Sequence, residues 1–165
     1  MANWEAMGLA GLSSSSDDTK IDLMESLLSE NTIEKLIFAV GVISEKSESW
    51  LVRAETCRFV RDIESDNWNE IGLCQAIINV LSDENEDLTL RQWAAFLVNK
   101  CQSNLELAEL VSKLIIESED IRWNIIDSLN DADEIAPSME KALQDNVLSV
   151  SSDKEVKSAV SGLLT

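Results

Sequence analysis

Chemistry at a protein site needs particular side chains at particular spacings, and carboxylates are the abundant candidates in this chain. They gather in short runs: Glu45 and Glu48; Asp83, Glu84, Glu86 and Asp87; Glu117, Glu119 and Asp120; Asp153 and Glu155. The run from Asp83 to Asp87 invites a calcium reading. It lacks, however, the alternating oxygen ligands, central Gly and terminal Glu of an EF-hand loop. Nothing marks two carboxylates as an acid and base for glycoside or phosphodiester hydrolysis, because acids occur throughout. The chain has no His, which removes the commonest general base and the commonest metal ligand together. Cys57, Cys74 and Cys101 have neither CxxC spacing nor that of a zinc knuckle. They fall at apolar positions of helical patterns and read as small hydrophobes. The expectation is a protein without catalytic, metal-ligating or cofactor-binding residues, and hence not an enzyme.

The charge balance speaks about partners instead. Across 165 residues, 31 acidic side chains oppose 13 basic ones, for a formal net charge of −18. A field of that sign repels phosphate backbones and anionic membranes and accelerates encounter with basic proteins. Direct nucleic-acid binding and membrane binding are therefore not expected, whereas a basic protein partner is. The N-terminus lacks the basic region and apolar stretch of a signal peptide, and no segment approaches the length of a bilayer span, so a cytoplasmic location is expected. The 45% apolar content speaks against general disorder.

The elements that would carry these side chains follow from periodicity. Residues 1–18 form a separate N-terminal segment, with a weak helix from Trp4 to Leu12, a Ser-rich turn at Ser13–Ser16, and Asp17, Asp18 or Thr19 able to cap the next helix. Residues 19–165 form one domain. Four stretches in it align without gaps: Val52–Val60, Leu90–Val98, Ile121–Leu129 and Val156–Leu164. Each opens with an aliphatic residue and a cation, and the cations Arg53, Arg91, Arg122 and Lys157 recur at intervals of 38, 31 and 35 residues. Before each lies another helix with its own apolar stripe: Ile33, Leu36, Ile37 and Val40; Ile71, Cys74, Ile77, Ile78 and Leu81; Leu107, Leu110, Val111 and Leu114; Met139, Leu143 and Val147. Ser103 with Glu106, and Ser152 with Glu155, have capping-box spacing, and Pro137 suits a first helical position.

This unit resembles the HEAT-like (armadillo-type) helical repeats, whose second helix opens with an acidic residue, an aliphatic and an Arg. Asp87 before Leu90-Arg91 and Asp120 before Ile121-Arg122 carry the likeness, which covers roughly residues 31–165. The resemblance implies an all-α fold, a right-handed stack of about four antiparallel helix pairs, that is a HEAT-like α-solenoid, with an extra N-terminal helical segment. In such a stack each pair buries its stripe against its neighbours. The repeated cation is expected to reach an acidic residue of the adjacent turn or repeat and hold the pairs in register. The acidic runs then emerge along one edge. Glu64, Asp66, Asp131, Asp133 and Glu134 in the connections between repeats make a second acidic rim.

Aligned positions on the second helices also point outward. Trp93 and Asn124 share one, Phe96 and Asp127 the next, and Trp123 lies beside them. Aromatics ringed by acids resemble an interface with an anchoring centre and a charged rim. The expected partner-binding set is Asp83, Glu84, Glu86, Asp87, Trp93, Phe96, Glu117, Glu119, Asp120, Trp123, Asn124 and Asp127. The functional expectation is a protein-binding inhibitor, monomeric when free. Its type would be an immunity or antitoxin protein that neutralises a basic, nuclease-like toxin by occluding the toxin's positively charged site. The alternative is a HEAT-like adaptor or scaffold that binds another cellular or host protein.

Overall fold

A computed structural model describes residues 15–165. The helix expected from Trp4 to Leu12 lies outside the described residues. Within them the chain forms nine α-helices and no strand: α1 Asp17–Leu28, α2 Ile33–Ser44, α3 Trp50–Arg61, α4 Leu73–Ser82, α5 Leu88–Ala95, α6 Leu105–Glu117, α7 Glu119–Asn130, α8 Pro137–Leu143 and α9 Lys154–Leu163. A 3-10 turn, Val98–Cys101, follows α5, and a π-helical turn, Gln144–Leu148, continues α8.

The helix starts are set by short polar side chains that accept otherwise orphaned backbone N–H groups. Ser16, Thr32, Ser49, Asp87, Asn104 and Asp153 each do this for the helix that follows. Two capping boxes expected at Ser103 and Ser152 are therefore displaced by one residue. Asn104 Oδ1 accepts from Leu107 N, and Asp153 Oδ1 accepts from Glu155 N and Val156 N. The α4 stripe is likewise shortened. Gly72 adopts φ 91°, a left-handed conformation suited to glycine, so the helix begins at Leu73 and Ile71 belongs to the preceding turn.

Helices packed against each other alternate along the chain. The odd-numbered ones form one continuous series, α1 on α3, α3 on α5, α5 on α7 and α7 on α9, and the even-numbered ones another, α2 on α4, α4 on α6 and α6 on α8. Contacts of α2 with α3, α4 with α5, and α6 with α7 join the two series. The core lies between them. Leu90, Ala94, Ala95, Leu97 and Val98 are fully buried there, as are Ile77, Leu81, Leu107, Ile121 and Ile125.

Two of the three cysteines depart from their reading as small hydrophobes. Cys74 and Cys101 form a disulfide with a Cα–Cα distance of 5.5 Å, within the range that bond requires. Pairing was invisible in their 27-residue separation because it depends on α4 and the turn after α5 meeting in space. Cys57 is free and completely buried, and burial pushes its thiol up to about 12. The disulfide sits beside the shortest of the odd-numbered helices to carry an Arg at its fourth position. α3 and α7 each run for 12 residues, whereas α5 stops after eight. At the break the Ser128 hydroxyl of α7 donates to Phe96 O and accepts from Asn99 N, which satisfies backbone groups that a continuing helix would have used.

Candidate interaction surface

The site is built on the odd-numbered helices, and their spacing is held by one recurrent side chain. Lys20, Arg53, Arg91, Arg122 and Lys157 each occupy the fourth position of an odd helix. Arg53 Nε donates to Ile43 O at 2.8 Å, Arg91 Nη2 to Leu81 O at 3.1 Å, and Arg122 Nη2 to Ile116 O at 2.8 Å. Each therefore caps the carboxyl end of the even helix before it, where a cation also meets the negative end of the helix dipole. The same cations reach acids in the next turn. Arg53 Nη2 lies 2.5 Å from Glu86 Oε2, and Arg122 Nη1 3.8 Å from Asp153 Oδ2. The Arg53–Glu86 contact is an ion pair without good hydrogen-bond alignment at Oε2.

Lys20 extends the series by one helix. Its Nζ lies 2.7 Å from Glu48 Oε1, with both side chains buried. Sequence reasoning missed it because Thr19, not an aliphatic, precedes the cation; the usable signal was its place four residues after a capping Ser16. Arg91 and Lys157 have no ion pair among the described residues, and the Nε atoms of Arg91 and Arg122 are buried without a hydrogen-bond partner. α6 and α7 are separated by Ser118 alone, and the acids that flank it, Glu117, Glu119 and Asp120, make no ion pair with Arg91.

These contacts divide the acidic residues into engaged and free. Asp83 pairs with Lys46 at 2.6 Å and accepts from Asn85 N, and the Lys46 hydrogen bond, its largest influence, holds the carboxyl below its usual range. Glu86 is held by Arg53, and Asp87 caps α5. Glu117 lies 3.8 Å from Lys113. Glu84, Glu119 and Asp120 are exposed at the turns, and Asp127 is exposed further along α7; among the described residues none of the four carboxylates has an ion pair.

The aromatics are arranged as two groups. Trp93 and Phe96 are half-buried against each other, with ring centroids 5.4 Å apart, and the Arg61 guanidinium covers Phe96 at 4.9 Å. Arg61 Nη2 also meets Asp131 Oδ2 at 3.2 Å, so this group is closed by a cation and its acid. Trp123 is 40% exposed, on α7 between Asp120 and Asp127, with half-buried Asn124 beside it. Six further large apolar residues are exposed among the described residues: Leu105 and Val150; Ile33 and Ile37, expected in the buried stripe of α2 but facing outward; and, on the odd-numbered helices, Trp50 at 44% and Leu88 at 43%, the first residues of α3 and α5. The signal for the last two was an apolar residue directly after a capping Ser49 or Asp87, where the helix needs none.

At the opposite edge, where repeats connect, a cavity of about 340 Å³ is lined by Trp68, Asn99, Lys100, Asp131, Asp133 and Glu134, among others. The Lys100 side chain is enclosed, with Nζ donating to Ile63 O at 2.7 Å and standing 5.5 Å from the Trp68 ring centroid. Desolvation lowers its pKa despite the nearby Glu64 and Asp62. No group of His, Cys, Asp and Glu among the described residues is arranged to hold a metal ion, and no described helix is long and apolar enough to cross a membrane. Comparison with protein-family models, with curated proteins and with solved structures returns no match.

Proposed function

We propose that this protein is a binding inhibitor of the immunity or antitoxin type, which occludes the positively charged site of a basic, nuclease-like protein. The observation that carries this reading is the exposed Trp123 on α7, set among the unpaired carboxylates of Glu119, Asp120 and Asp127. An aromatic anchor slows release, and a surrounding field of the partner's opposite sign speeds capture. The net charge of −18 extends that field over the whole molecule. The alternating series of odd and even helices, joined in pairs and held by a repeated cation, supports a right-handed HEAT-like solenoid of about four antiparallel pairs preceded by an extra helix. In this reading the free protein is monomeric, acts in the cytoplasm, and binds neither nucleic acid nor membrane directly. The Cys74–Cys101 bond bears on location, because disulfides persist best in oxidising compartments. Titrating free thiols in the protein as isolated from its native cell separates the two: one free thiol marks an oxidising compartment, three a cytoplasmic one.

The partner is captured by affinity pull-down from the native organism, purified, and tested for loss of nuclease activity. Association should slow as salt rises, because screening shortens the reach of the field. Neutralising Glu84, Glu119, Asp120 and Asp127 together should lower the on-rate with helical content intact, and Trp123→Ala should act mainly on the off-rate. Binding indifferent to both salt and the fourfold neutralisation would overturn the charge-based inhibitor and favour an apolar adaptor interface.

A further inference from the structure

The exposed large apolar side chains of the odd-numbered helices lie in the opening turns of three successive members of the series. Trp50 and Leu88 are the first residues of α3 and α5, and Trp123 is the fifth of α7. First and fifth positions lie one turn apart on the same side of a helix. Gln92, the fifth residue of α5, shows which way that side looks: its Nε2 donates to Asp120 O at the start of α7. Leu88 therefore stands over the seam between α5 and α7, and Trp50 holds the matching place between α3 and α5. Neighbouring helices pack about 8–10 Å apart, so Trp50 to Trp123 spans about 20 Å across three helices. At the same ends of these helices stand the exposed and ionically unpaired Glu84, in the turn before α5, and Glu119 and Asp120, the first residues of α7.

We infer that Trp50, Leu88 and Trp123 form an apolar docking stripe whose occupant is a cationic amphipathic helix of the partner protein, laid across α3, α5 and α7. The inference rests on the inhibitor reading above and narrows it to one edge and one partner element. A helix of about 13 residues has the length of the stripe. Its apolar face covers the two tryptophans and the leucine, and flanking Lys or Arg side chains meet carboxylates that no cation of this chain occupies. Helix-in-groove recognition uses such apolar anchors for affinity and flanking charge for orientation.

The test uses two synthetic Lys/Leu peptides of about 18 residues, one patterned as an amphipathic helix and one of identical composition with the pattern destroyed. Titration calorimetry at physiological salt should show the patterned peptide binding at least about tenfold more tightly. Leu88→Ser and Trp50→Ala should each weaken it about tenfold without changing the far-ultraviolet circular dichroism, while Leu105→Ser, at an exposed leucine of the even series, should leave it unchanged. Equal binding of both peptides, or equal losses from Leu88→Ser and Leu105→Ser, would overturn the stripe. The two readings fail separately. A captured basic partner that is salt-sensitive yet indifferent to Leu88→Ser and Trp50→Ala ends the stripe and keeps the inhibitor. A partner that follows Leu88→Ser but ignores salt ends the charge-based inhibitor and the cationic occupant with it.

Discussion

The two acidic edges of the molecule carry the same kind of residue and use it differently. On the edge formed by turns within helix pairs, Glu48, Glu86 and Asp153 are drawn in by Lys20, Arg53 and Arg122, and Asp83 by Lys46. Much of that acid holds neighbouring helices in register. On the edge formed by connections between pairs, Glu64 is 94% exposed and 3.7 Å from Lys100, and Asp133 and Glu134 are exposed. There the cohesion comes from buried groups beneath the carboxylates: the Lys100 bond to Ile63 O and the Cys74–Cys101 disulfide. A count of acids therefore overstates the charge available to a partner on the turn edge, where availability depends on which carboxylates a neighbouring helix leaves unclaimed.

The largest effect that sharpens this contrast is expected from Arg53→Ala. It strands Glu86 beside a buried site and uncaps Ile43 O, and should cost about 3–5 kcal/mol in denaturant unfolding. A loss below about 1 kcal/mol would show that the turn edge is not held by its cations. Next comes the connection edge. Replacing Cys74 and Cys101 together by Ser releases a loop closed over 27 residues, and should cost about 2–4 kcal/mol when measured against the oxidised protein. If thiol titration finds three free cysteines before any substitution, that edge has lost its clip and the comparison must be redrawn.

Smaller effects separate the acids themselves. Glu86→Gln should lower stability by about 1–2 kcal/mol, because Arg53 then lies buried without its counter-charge. Asp133→Asn with Glu134→Gln should leave the melting temperature unchanged, and equal losses from the two would erase the distinction between engaged and free carboxylates. Smallest of all is the exposed Lys46–Asp83 pair. Since the Lys46 hydrogen bond holds the Asp83 carboxyl below the ordinary aspartate range, the contribution of this pair is present above that range and fades as acid protonates the folded carboxylate. Lys46→Ala should therefore lower neutral-pH stability only slightly, and the difference from the unaltered protein should vanish in acid once Asp83 is protonated.

Much of this architecture was legible because a helix is a local structure. The 3.6-residue recurrence of apolar side chains, the capping residues and the aliphatic-cation pairs at 53, 91, 122 and 157 are short-range patterns, and the nine helices follow them closely. The expectation that these cations bind acids of adjacent turns was also within reach. Opposite charges recurring in step have few other partners in a stack, and Arg53 and Arg122 meet theirs. The burial of Leu90, Ala94 and Ala95 beneath half-buried Trp93 and Phe96 followed from the same register.

What the sequence by itself determined, then, is the helical class, the recurring aliphatic-cation pairs and the sign of the field, since each depends on residues close in the chain or on simple counting. Tertiary structure decided the rest, because it depends on distances between residues far apart in sequence. Cys74 met Cys101 only when α4 approached the turn after α5, and that break in α5 is fitted to the Ser128 hydroxyl of α7. Arg91 caps Leu81 O yet makes no ion pair with the acids around Ser118, which no local pattern would have told. The exposure of Trp50 and Leu88 and the engagement of Asp83 and Glu86 are properties of neighbouring helices, settled when one packed upon the next.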